Sequence, residues 1–264
     1  MKKYVNLFVF VFMIGACLSQ GRAQTKSAVS YKNPVVDIAM PDPTVIKAAD
    51  GYFYVYATES TRNVPIMKSK DLVEWTYCNT AFTNKTRPRF EPKAGIWAPD
   101  INYINGKYVL YYAMSVWGGE QTCGIGVATA DSPQGPFTDH GKMFRSNEIG
   151  VQNSIDPSFL QYEGRNYLVW GSFRGIYVIE LTADGLSIMP GAKKKRIAGT
   201  AFEAVYIHKH GDYYYMFASI GSCCQGVKST YKVVVGRSKK VWGPYKDKTC
   251  LLYTSPSPRD GLLS

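Results

Sequence analysis

One pattern recurs roughly every fifty residues along this chain, and such self-similarity constrains the fold more than any other feature. It is an acid, an apolar stretch, a glycine turn, and a second apolar stretch opened by tyrosine. The four copies are "PDPTVIKAADGYFYVYATES" from Pro41, "APDINYINGKYVLYYAMS" from Ala98, "IDPSFLQYEGRNYLVWGS" from Ile155 and "FEAVYIHKHGDYYYMFAS" from Phe202. Each copy predicts a β-hairpin, with turns at Asp50-Gly51, Asn105-Gly106, Glu163-Gly164 and His210-Gly211. A weaker second hairpin follows each, in "MKSKDLVEWT", "GVATADSPQGPFTDHG", "IYVIELTADGLSI" and "VVVGRSKKVWGPYKD". Two hairpins make a four-stranded blade, and blades stacked about an axis make a propeller. The aromatic share of 14% suits pleated, half-buried strands, and a charged share of 19% is too low for a disordered chain.

In a propeller the first strand of each blade lines the central channel. The leading acids Asp42, Asp100, Asp156 and Glu203 are therefore expected to converge at one mouth of it. A single Asp-Pro is ordinary turn chemistry. Several acids in one blade position are harder to explain that way, and converging carboxyls suit one reaction in particular. Glycosidic bond hydrolysis needs one carboxyl to protonate the leaving oxygen and another to activate water or attack. A third carboxylate nearby raises the pKa of the acid and keeps it protonated.

The two ends read differently. Lys2 and Lys3 followed by the apolar run Val5 to Ala16 form an export signal, too short for a stable membrane anchor. Cleavage after Gly21-Arg22-Ala23 would make residues 1–23 a signal peptide. Ile14-Gly15-Ala16-Cys17 alternatively resembles a lipobox that would lipidate Cys17. Either route places the protein outside the cytoplasm, secreted or periplasmic. The formal charge of +11 falls to +8 when Lys2, Lys3 and Arg22 leave with the signal. The basic residues are scattered, apart from the run Lys193 to Arg196, so a nucleic-acid partner is not expected. An acidic cell-wall matrix fits the charge better. The cysteines lack zinc-site spacing, and adjacent Cys223 and Cys224 are either a vicinal disulfide or buried thiols. Residues 251–264 have no blade register and read as a non-native tail, which leaves four blades within residues 31–250.

The motifs "PDPTV" around Asp42, "WAPDI" from Trp97, "NSIDPSF" around Asp156, "FEAVYI" around Glu203 and "CCQGVKSTYKVVVGRS" from Cys223 resemble glycoside hydrolase family 43. "GIGVATADSPQGPF" and "GSFRGI" point within it toward endo-1,5-α-L-arabinanases. The resemblance implies an all-β, five-bladed β-propeller lacking most or all of its fifth blade, a four-bladed ring being the alternative. It implies inverting hydrolysis of α-1,5-linked arabinan from pectin side chains, with Asp42 as base, Glu203 as acid and Asp156 tuning Glu203. Asp100 would be structural. Inversion sets the Asp42–Glu203 separation at about 6.5–9.5 Å.

Trp97 and Trp117 are candidate platforms for sugar rings, with core packing the alternative for Trp97. Asn153, Ser154 and Ser172 are candidate partners of sugar hydroxyls. Arg237 would pair with Glu203 or a neighbouring acid, or face solvent. No cofactor is required for the chemistry and no metal ligand is assigned; a structural calcium would take its usual histidine from the fifth blade. The chain departs from residues common in arabinanases at Pro41, Arg174 and Val205. An exo-acting arabinofuranosidase or β-xylosidase, and a non-catalytic carbohydrate-binding propeller, are the competing readings. A monomer is expected.

Overall fold

The alternation of apolar residues in each repeat folds as the period demands. In the computed structural model, which describes residues 31–247, four antiparallel sheets of four strands follow one another along the chain. Blade 1 contains β1 (Thr44–Lys47), β2 (Phe53–Tyr56), β3 (Pro65–Ser69) and β4 (Thr76–Thr80). Blade 2 contains β5 (Gly95–Ile104), β6 (Lys107–Ser115), β7 (Gly124–Ala130) and β8 (Thr138–Arg145). Blade 3 contains β9 (Ser158–Tyr162), β10 (Arg165–Trp170), β11 (Ile176–Leu181) and β12 (Lys195–Ala198). Blade 4 contains β13 (Glu203–His210), β14 (Tyr213–Ile220), β15 (Lys232–Ser238) and β16 (Lys246–Asp247). Each sheet is a simple meander in chain order, so this is an all-β propeller architecture with four blades among the described residues. The signal segment 1–23, Cys17 and the tail 251–264 lie outside those residues.

The hairpin turns sit where the glycines predict them. Asn105 and Gly106, at φ 49° and 83°, both take the left-handed conformation of a tight hairpin, as do Glu163 and Gly164 at 51° and 74°. In blade 4 the loop is Gly211-Asp212, since His210 pairs directly with Tyr213, one residue beyond the expected turn. Glycine there supplies the positive φ of 55° itself, so His210 remains in the strand.

The core lies between blades, and the period of two distributes it. Along β6, Leu110 and Tyr112 point into a cluster with Tyr54, Tyr56 and Ile66 of blade 1. Their neighbours Val109 and Tyr111 point the other way, toward Leu168, Trp170 and Ile179 of blade 3. Val169 and Val178 of blade 3 then meet Val205, Ile207 and Met216 of blade 4. Each such side chain, fully buried, stabilises the fold by about 1.5–3 kcal/mol. At the two ends of the stack, Val45 on β1 and Tyr206 and Phe217 on blade 4 stay exposed.

A buried ion pair ties blades 1 and 2 near the channel. Arg87 donates to both carboxylate oxygens of Glu59, which also accepts the backbone N–H groups of Asn63 and Ile96. The pair is nearly solvent-free and its remaining bonding capacity is satisfied, the condition under which a buried charge is tolerated.

Candidate active site

The chain enters each blade through one unusual backbone position. Asp42, Ala98, Asp156 and Ala204 have φ of 50°, 41°, 58° and 52°, and each stands two residues before a paired position of the first strand. In blades 2 and 4 this residue belongs to a β-bulge, between Trp97 and Asp100 and between Glu203 and Tyr206. Bulges re-aim side chains, and left-handed non-glycine residues persist only where the surroundings enforce them. The four leading acids are therefore not equivalent, contrary to the sequence expectation. Asp42 and Asp156 share one position, Glu203 stands one residue before it, and Asp100 stands two after it.

That offset separates their roles. Asp100 lies deep between blades, where its carboxylate accepts Phe159 N–H at 2.7 Å, Asn102 Nδ2 at 2.8 Å and Thr44 Oγ1 at 3.5 Å. It thus links three blades and is structural, and burial pushes its pKa up to about 6. Asp42, Asp156 and Glu203 instead line one cavity of about 520 Å³.

Each of the three is held differently. Asp42 is exposed and accepts a 2.5 Å hydrogen bond from Thr58 Oγ1, which itself accepts Ala98 N–H at 2.7 Å. Glu203 is only 9% exposed; Ser172 Oγ donates to its Oε2 at 2.7 Å and the Tyr231 hydroxyl donates to the same carboxylate. Burial pushes the Glu203 carboxyl above the ordinary range, Ser172 and Tyr231 pull it back, and the charge of Asp42 pushes it up. Asp156 has a sliver of accessible surface yet protein on nearly every side. Burial, then the charges of Glu203 and Asp42, drive it well above the carboxylate range, with Ala204 N–H opposing. Burial and mutual repulsion thus favour the protonated form at both carboxyls.

Trp97 and Trp117 also line the cavity, with ring centroids 5.7 Å apart. Trp97 packs against Ala113, Cys123 and Ile155 on its inner side, while Trp117 is 74% exposed. Asn153 and Ser172 are on the wall too, joined by a 2.9 Å bond from Asn153 Nδ2 to Ser172 Oγ.

Two expected contacts fall elsewhere. Ser154 is fully buried: its hydroxyl donates to Val151 O and accepts from Trp170 Nε1, and its N–H donates to Ser146 Oγ, so it braces the wall from behind. A one-residue step from Asn153 turns the side chain inward. Arg237 pairs with Tyr215 toward the turn end of blade 4, its guanidinium 4.5 Å from the Tyr213 ring centroid, and does not line the cavity.

Three positions at the site escaped the sequence reading. Thr58 fixes Asp42, Tyr231 fixes Glu203, and Glu120 on the cavity wall is gripped by Arg174 and Gln152. Cys223 and Cys224 are thiols on the cavity wall, half-buried and exposed respectively, so the buried alternative is corrected. Among the described residues no group of three or more His, Cys, Asp or Glu side chains could hold a metal ion. None of their helices is long and apolar enough to cross a membrane.

Comparison with known proteins gives a consistent result. A model of glycosyl hydrolases family 43 matches residues 31–260. The extracellular endo-α-(1→5)-L-arabinanase 1 of Bacillus subtilis is 38% identical over 222 residues, 79% of this chain and 68% of that protein. The extracellular exo-α-(1→5)-L-arabinofuranosidase ArbA of Cellvibrio japonicus is 35% identical over 79% of this chain and 66% of its own length. The chain thus spans about two thirds of these relatives. The structure of Cellvibrio cellulosa α-L-arabinanase complexed with arabinohexaose superposes with a TM-score of 0.71 at 32% identity, covering 80% of this chain and 74% of that one.

Proposed function

The chain belongs to glycosyl hydrolases family 43, and from that footing we propose that it is a secreted arabinanase cutting α-1,5-linked L-arabinan with inversion. The observation that carries this reading is the meeting of Asp42, Asp156 and Glu203, from three different blades, in one aromatic-walled cavity. In the reaction Glu203 protonates the leaving glycosidic oxygen. Asp42, exposed and oriented by Thr58, takes a proton from the attacking water. Asp156 stands behind both and opposes the loss of the Glu203 proton. A single displacement needs room for that water, hence a separation of about 6.5–9.5 Å between the two working carboxyls. Trp97 and Trp117 offer ring faces to arabinose units, with Asn153 and Ser172 toward their hydroxyls.

The names of the relatives support arabinan as substrate and an extracellular location, and residues 1–23 have the composition of an export signal. Endo action follows the Bacillus subtilis relative. Exo action has one observation in its favour: Glu120, Arg174 and Gln152 lock the loops of blades 2 and 3 together beside the cavity. We also read the four blades as part of a five-bladed ring, because Val45, Tyr206 and Phe217 expose apolar side chains that no described blade covers. No step of the reaction is routed through a metal ion.

The test is reducing-sugar release from linear 1,5-α-arabinan by the chain, Glu203→Gln and Asp42→Asn. Loss of activity by at least a hundredfold in both variants is expected. Full activity in either would remove that residue from the chemistry, and a ladder of oligomers rather than monomer alone would establish endo action.

A further inference from the structure

The loop between β14 and β15 carries two features in one short span: the adjacent Cys223 and Cys224, and Tyr231, which holds Glu203. Its neck is closed by Thr230 N–H on Ser222 O at 3.0 Å and Ser222 N–H on Thr230 Oγ1 at 3.1 Å. At Gly221, φ 90°, a β-carbon would meet Thr230 O at 2.5 Å, so the two sides of the neck approach as closely as glycine allows.

Both cysteines line the cavity with the three acids and the two tryptophans, and their side chains are hydrogen-bonded to each other. Cys224 already has φ 66°, a conformation that a β-carbon disfavours and that a ring through both sulfurs would hold in place. Extracellular compartments are oxidising, and there a disulfide persists.

We propose that Cys223 and Cys224 form a thiol–disulfide site in the cavity wall, and that the closed disulfide is the form that binds sugar. The binding half rests on the arabinanase reading; the disulfide half does not. Closure proceeds by exchange with a low-molecular-weight disulfide. The exposed Cys224 sulfur attacks as thiolate, forming a mixed disulfide and releasing one small thiol. Cys223 then loses its proton, attacks Cys224 Sγ and releases the second small thiol. The two cysteines are oxidised, the small disulfide is reduced to two thiols, and the two protons end on those thiols. Burial, Cys224 and the nearby carboxylates push the Cys223 thiol up to about 12, so ring closure is the slow step at neutral pH. Once closed, the pair replaces two mobile S–H groups by a rigid apolar surface, the character of wall that a sugar ring's C–H face meets with little ordering cost.

The experiment treats the full chain with oxidised glutathione or with dithiothreitol, alkylates it, and maps tryptic peptide 210–228, which contains both cysteines and no others. In parallel, KM and kcat on linear arabinan are measured for each form and for Cys224→Ser. After oxidant the peptide should be lighter by two hydrogen atoms and resist alkylation. Reduction should raise KM at least threefold with kcat changed less than twofold, and Cys224→Ser should abolish that redox dependence. A doubly alkylated peptide after oxidant would overturn the disulfide, and equal KM in both forms would overturn its role in binding. A closed disulfide in a chain that hydrolyses no arabinan in either state would uphold the thiol site and overturn the arabinanase reading.

Discussion

Ser172 donates its hydroxyl proton to Glu203 Oε2 across 2.7 Å, and it has no alternative orientation, because its own oxygen is taken by Asn153 Nδ2 at 2.9 Å. An amide nitrogen only donates, so Asn153 turns the serine hydroxyl toward the carboxylate. Oε2 of Glu203 is thereby committed as an acceptor.

Ser172→Ala should therefore do more than lower activity. Ser172 stabilises the charged carboxylate, so its loss raises the Glu203 pKa, already raised by burial. Glu203 must be protonated to act, and activity is lost as pH rises through its pKa, so the high-pH limb moves upward. A hydrogen bond to a charged group is worth about 1.5–3 kcal/mol, which corresponds to about one pH unit or more. The kcat–pH profile on linear arabinan checks this, with an accompanying fall in kcat of about tenfold from misplacement of the acid.

Asp156→Asn should move the same limb in the opposite direction. Asparagine removes a neighbouring negative charge, the Glu203 proton is held less tightly, and the high-pH limb shifts to lower pH. An unmoved limb would mean that Asp156 itself carries a proton throughout catalysis. The profile distinguishes the two.

Asp100 gives a prediction about stability rather than rate. Its folded-state pKa of about 6 lies above the ordinary carboxylate value of 3.8. A raised pKa means that its contribution is fully present below the unfolded value and is lost as pH rises through the folded one. The loss is roughly 2.5 kcal/mol between pH 4 and pH 7.5. Urea denaturation of the parent and Asp100→Asn at those two pH values should show the parent losing about that much relative to the variant. Parallel curves would contradict the burial argument.

Much of the architecture was legible in the sequence because it depends on local signals. Asn105-Gly106 and Glu163-Gly164 demand tight turns, and the alternation of Val109, Leu110, Tyr111 and Tyr112 demands a strand with two buried faces. The register of the acids was less legible, although the prolines encode it. Aligning Asp42-Pro43, Ala98-Pro99 and Asp156-Pro157 brings the left-handed residues into line and shows Asp100 to be displaced. Thr58 and Tyr231 were hidden for a different reason. Each is remote in sequence from the acid it orients, and strand pairing within one blade brings them together, Thr58 beside Asp42 across the β1–β2 hairpin and Tyr231 beside Glu203 across β13, β14 and β15. Ser154 was misplaced because a position one residue away faces the other side, and Arg237 because it lies toward the turn end of β15, beyond the cavity-lining Lys232 and Val233, neither of which sequence spacing near a motif reveals.

The central claim, that Asp42 and Glu203 work as base and acid of a single displacement, is tested most directly by the anomeric configuration of the first product. Proton NMR of linear 1,5-α-arabinan in the first minutes of hydrolysis, before mutarotation, should show the β-anomer of the new reducing end appearing first. The α-anomer appearing first would mean a double displacement through a covalent intermediate, with carboxyls about 5–5.5 Å apart, and would contradict the assignment.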